Sequence, residues 1–107
     1  MVHELFGVRI DDIPEQDFNS LLKTWLHGGQ GRIITTPNAE ILVQAQRDPT
    51  FRSLLGDGDL SLPDGVSLQY AVAALSSHRL HHRRTGVDTL NLLCQLSAQA
   101  HKRVLLL

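Results

Sequence analysis

Short apolar runs alternate along this chain with longer segments whose apolar residues recur every three or four positions, and that alternation does most to limit its fold. The short runs are Leu5–Ile10, Arg32–Thr36, Asp59–Leu62 and Arg103–Leu107. Each is too brief for a buried helix and reads as a strand. Between them lie helical patterns. Phe18, Leu21, Leu22, Trp25 and Leu26 make one apolar stripe, with Asp12 as the expected cap, Pro14, Glu15 and Asp17 early, and Gly28-Gly29 at the end. Asn38 is placed to cap a helix from Ala39 to about Asp48, with Ile41, Leu42 and Ala45 inward. Asp48-Pro49 breaks it and starts a short helix through Phe51, Leu54 and Leu55. Further helices are expected from Val66 to about Leu75 and from Gly86 to about His101, the latter burying Leu90, Leu93, Cys94 and Ala98.

Strands alternating with helices predict an α/β fold with a mainly parallel sheet flanked by helices. At 107 residues the chain has room for one domain or part of one. The closing three-leucine strand has no covering helix, and parallel strands are normally covered on both faces. The expectation is therefore the amino-terminal portion of a longer, truncated domain.

Charge and cysteine content exclude several functions. Lys+Arg 10 against Asp+Glu 11 leaves no basic footprint for nucleic acid. A single cysteine, Cys94, rules out a disulfide framework and a cysteine-based zinc site. The opening Met1-Val2-His3-Glu4 lacks a signal-peptide layout, so the expected location is the cytoplasm, at most peripheral to a membrane.

Ligands of open α/β sheets bind beyond the carboxyl ends of the strands. Thr35-Thr36-Pro37-Asn38 and Pro63-Asp64-Gly65 fall there, and Arg83-Arg84-Thr85-Gly86-Val87-Asp88 leads into a helix. Asp64 can serve as a general base, and it can equally cap the helix after it. Thr36 and Asn38 offer polar ends to a ligand, while Asn38 also suits a cap. His78, His81 and His82 invite a metal, but Arg79, Arg83 and Arg84 crowd the loop with positive charge, so no metal is expected. Neither a dinucleotide-binding turn nor a P-loop is present.

Taken in order, Thr36-Pro37-Asn38-Ala39-Glu40-Ile41, Asp59 to Val66 and Arg83 to Asp88 resemble the WecG/TagA/CpsF family of bacterial glycosyltransferases. The opening Phe6-Gly7-Val8-Arg9-Ile10-Asp11 and the closing Arg103 to Leu107 resemble it too, so the likeness covers essentially the whole chain. The resemblance implies a Rossmann-like fold and an inverting enzyme. Such an enzyme moves an N-acetylmannosamine-type sugar, or its uronic acid, from a UDP donor to a lipid-linked N-acetylglucosamine on undecaprenyl diphosphate. It implies cell-surface polysaccharide synthesis, no metal or other cofactor, and peripheral membrane contact. Carried over, Asp64 is the catalytic base, Thr36 and Asn38 line the substrate pocket, and Arg83 contacts phosphate or substrate. A non-catalytic remnant, or a sugar- or nucleotide-binding module, is the alternative.

Overall fold

The amino-terminal apolar run is two strands rather than one. In a computed structural model, which describes residues 2–64, 70, 73–74 and 86–106, β1 (Val2–Leu5) and β2 (Val8–Asp11) form an antiparallel hairpin with Leu5 opposite Val8. Phe6 and Gly7 make the turn, with φ of 51° and 78°. Two successive positive φ values match the right-handed twist of a two-residue hairpin. Asn usually takes the first of these positions, and Phe there hides the turn from a sequence reading. Leu5, Val8 and Ile10 are buried, as strand alternation requires.

Helix α1 (Glu15–His27) follows, with Pro14 as its cap residue and no side-chain capping bond. The expected cap, Asp12, is instead buried ahead of the helix. Gly28 ends α1 in right-handed geometry, and the left-handed residue is Gly29, at φ 73°. Strand β3 (Ile34–Thr35) is shorter than expected. It pairs in parallel with β4 (Leu60–Ser61), Ile34 beside Leu60 and Thr35 beside Ser61. Between them run α2 (Ala39–Arg47) and α3 (Pro49–Gly56). Asn38 accepts from the Ile41 amide at 2.9 Å, and Asp48 accepts from the Thr50 and Phe51 amides, so both expected breaks stand where local capping chemistry puts them. Helix α4 (Gly86–Ala100) is the last element. Tyr70, Ala73 and Ala74 are helical, inside the stretch expected to be a helix.

The class is α/β. Among the described residues, though, the strands form one antiparallel hairpin and one parallel pair, and not the continuous parallel, Rossmann-like sheet expected. Nor do the described residues of the expected carboxyl-end strand form one. Arg103 to Leu106 form no ladder, and Val104, Leu105 and Leu106 are exposed.

Two apolar clusters hold the elements. Leu5, Val8 and Ile10 of the hairpin pack on Leu42 and Ala45 of α2, with Phe51 and Leu55 of α3 at the margin. Phe18 and Leu22 of α1 pack on Leu60 and Leu62, with Leu92, Leu93 and Leu96 of α4 alongside. Each Val, Leu, Ile or Phe among them contributes roughly 1.5–3 kcal/mol when fully buried. Helix α4 keeps Leu93 against the core, as expected, but is rotated from the expected face. Thr89 and Ser97 are buried, whereas Cys94 and Ala98 are exposed. At about 100° per residue Leu90, Leu92, Leu93 and Leu96 fall on one half of the helix, which also carries Thr89 and Ser97, while Cys94 and Ala98 fall on the other. No helix among the described residues is long and apolar enough to cross a membrane.

Candidate functional site

Parallel pairing brings the carboxyl ends of β3 and β4 to the same edge, and the backbone keeps them joined past the strands. The Leu62 amide donates to the Thr35 carbonyl at 2.8 Å, and the Asp64 amide donates to the Pro37 carbonyl at 2.9 Å. Pro37 has no amide to offer the ladder, but its carbonyl remains available as an acceptor. Its ring is fully buried, which fixes the turn between Thr36 and Asn38. The segments Thr36-Pro37-Asn38 and Pro63-Asp64 therefore lie side by side.

The start of α4 completes the arrangement. A methyl group placed on Gly86 would stand 3.5 Å from Thr36 Oγ1 and 3.7 Å from Asp64 Oδ2. Residues 36, 64 and 86, far apart in the chain, thus meet around one small space, with the hydroxyl and the carboxylate both facing bare backbone. Both side chains are half-buried, so neither is sealed from a ligand. A helix amino terminus at this point favours an anion such as phosphate. Gly86 was not singled out in the sequence, because its contribution is a missing side chain.

Asn38 lies on the same loop, and its Oδ1 is committed to capping α2. The amide N–H donors are the part of that side chain left to meet a ligand. Arg83 lies outside the described residues, as do His78, Arg79, His81, His82 and Arg84. The same holds for most of the helix that Asp64 would cap, so its base and cap roles stand together on this geometry.

A groove of about 340 Å³ between α1 and α4 is separate from this site and includes neither Thr36 nor Asp64. Its two carboxylates, Glu15 and Asp88, sit in the first turns of their helices, where the helix dipole favours negative charge.

The site lies in a chain with recognisable relatives. The family model described as "Glycosyl transferase WecG/TagA/CpsF family" matches residues 3–107. A protein of Bacillus spizizenii, named N-acetylglucosaminyldiphosphoundecaprenol N-acetyl-beta-D-mannosaminyltransferase, is 33% identical over 81 residues, 76% of this chain and 31% of the relative. A protein of the same name from Bacillus subtilis is 30% identical over 76 residues, 71% of this chain and 29% of the relative. The matched segment is thus about a third of the length of each of these relatives.

Proposed function

The chain belongs to the glycosyl transferase WecG/TagA/CpsF family, and from that premise we propose that it serves the transfer of an N-acetylmannosamine-type sugar, or its uronic acid, from a UDP donor. The acceptor is N-acetylglucosamine carried on undecaprenyl diphosphate at a membrane surface. The names of the two Bacillus proteins support the transferred sugar and the lipid-linked acceptor. In this reading residues 1–107 are the amino-terminal portion of a single transferase domain that makes cell-surface polysaccharide.

The observation that carries the proposal is the meeting of Thr36 and Asp64 around Gly86 at the carboxyl ends of β3 and β4. Asp64 takes the proton from the attacking acceptor hydroxyl. The hydroxyl oxygen bonds to the anomeric carbon from the face opposite the UDP, the bond to UDP breaks, and the configuration inverts. Thr36 and Asn38 offer a hydroxyl and an amide to the sugar, and Arg83 a guanidinium to the phosphates. Charge gathering on the departing diphosphate needs such donors, because they act where negative charge develops.

Asp64→Asn tests the reading, since Asn caps a helix about as well as Asp but cannot act as a base. Transfer is measured from UDP-N-acetylmannosamine to a lipid-diphosphate N-acetylglucosamine analogue. Turnover is expected to fall about 10²–10⁴-fold, with melting temperature and UDP-sugar binding unchanged. Near-normal turnover would reduce Asp64 to a cap. UDP-sugar binding without transfer by the unsubstituted protein with its complete transferase domain would mark a binding module instead.

A further inference from the structure

Strand amides point alternately to opposite edges, and from Leu60 onward the segment carrying Asp64 follows that rule, Asp59 and Leu60 sharing the Ile33 carbonyl at its start. The amides of Leu60, Leu62 and Asp64 all donate towards β3, to the carbonyls of Ile33, Thr35 and Pro37. The Ser61 amide faces the other edge, where no strand among the described residues pairs with β4. Ser61 is buried, so an unsatisfied donor there would be costly. The partner is a side chain. Asp11 Oδ2 accepts the Ser61 amide at 2.8 Å.

Asp11 ends β2 and is 7% exposed. A buried carboxylate needs a countercharge, and Arg9, two residues earlier on the same face of the strand, supplies one with Nε 3.3 Å from Asp11 Oδ2. Arg9 also donates to the Gly58 carbonyl at 3.0 Å. The pair thus holds the β4 segment at two points, at the turn before it and at its second residue. A two-residue ladder fixes register weakly on its own.

We propose that Asp11, held by Arg9, is a positioning residue that sets the height of Asp64 against Thr36 and Gly86. The inference rests on Asp64 acting as the base. Asp11 itself touches no reacting atom. It closes the open edge of β4 three residues before Asp64, and the bonds to Thr35 and Pro37 carry that register onward.

The test uses the full chain. Amide hydrogen exchange is followed by NMR in Asp11→Ala, which removes the acceptor, and in Asp11→Asn, which keeps one. In Asp11→Ala, protection at Ser61 and Asp64 is expected to drop about tenfold or more. The transfer assay then shows kcat lowered roughly tenfold to a hundredfold with the UDP-sugar KM unchanged. Asp11→Asn is expected to restore most of both. Loss of protection at Ser61 with Asp64 and kcat unaffected would overturn the proposal. If Asp11→Ala does not fold, Arg9→Gln, which loosens Asp11 without removing its oxygen, lowers protection at Asp64 in the same direction, and no change there overturns the proposal. If Asp64→Asn keeps turnover while Asp11→Ala still releases both amides, the base assignment is overturned and the clamp is supported.

Discussion

The Asp64 amide and the Pro37 carbonyl are 2.9 Å apart, a hydrogen bond that joins two loops beyond the last paired residues of β3 and β4. Because both groups are backbone, the bond survives substitution of the side chains beside it. Variants at Thr36 and Asp64 therefore report chemistry more than loop geometry.

Gly86→Ala separates the site from the fold. The added methyl would make ordinary contacts, 3.5 Å to Thr36 Oγ1 and 3.7 Å to Asp64 Oδ2, so the chain should fold with an unchanged or slightly higher melting temperature. The methyl nevertheless fills the space those two groups share. Transfer or UDP-sugar affinity should fall about tenfold or more, if a loss near 1.4 kcal/mol accompanies each excluded contact. Full activity in Gly86→Ala would show that no ligand enters between them.

Asn38 carries two roles that two substitutions divide. Asn38→Ala removes the acceptor for the Ile41 amide and should cost about 0.5–2 kcal/mol, read from chemical denaturation. Asn38→Asp keeps the cap and should hold stability near the original. A drop in UDP-sugar affinity in both variants would assign the amide N–H donors to the ligand, while unchanged affinity in both would leave Asn38 a cap.

Phe18 is wholly buried between α1, β4 and Leu62. Phe18→Ala should cost about 3–5 kcal/mol, a large part of the roughly 5–15 kcal/mol that holds a domain together. Thermal unfolding followed by circular dichroism should show a midpoint lower by roughly 12 °C or more. A shift of only a few degrees would mean that the cluster collapses around the gap.

The hairpin turn leaves room for improvement. Phe6 has φ 51° and is 54% exposed, so it bears left-handed strain while burying little. Phe6→Asn creates the Asn-Gly pair such turns favour, and relief of about 1 kcal/mol should raise the melting temperature by about 4–8 °C. No rise would mean that Phe6 contributes through contact, not conformation.

What the sequence revealed follows the range of the interaction. The Asn38 cap and the break at Asp48-Pro49 were legible because each depends on residues within a few positions. The Thr36 and Asp64 loops were legible as polar punctuation after apolar strands. The hairpin was not, since Phe6 stands where a turn residue belongs. Asp12 suggested a cap by type, but the chain enters α1 through Pro14 and buries Asp12 earlier. On α4 the leucines mark the inner face, but Thr89 and Ser97 share it and give no apolar signal, whereas Cys94 and Ala98 give one and lie outside. The tie from Asp11 to Ser61 has no local signature, and neither does the approach of Gly86 to Thr36 and Asp64.

The bond between Asp11 and Ser61 spans 50 residues, and that separation bears on the order in which the chain folds. The hairpin of β1 and β2 needs only its own few residues and can close within microseconds. Asp11 must then wait for β4, and closing so long a loop carries an entropy cost that local elements do not meet. Contacts this distant slow a folding reaction. During synthesis the hairpin emerges before β4 and stands with its acceptor unfilled until Ser61 arrives. Asp64, three residues beyond Ser61, thereby reaches its place only once that long loop has closed, and slowing of that step would be felt at the site before it was felt in the local helices α2 and α3.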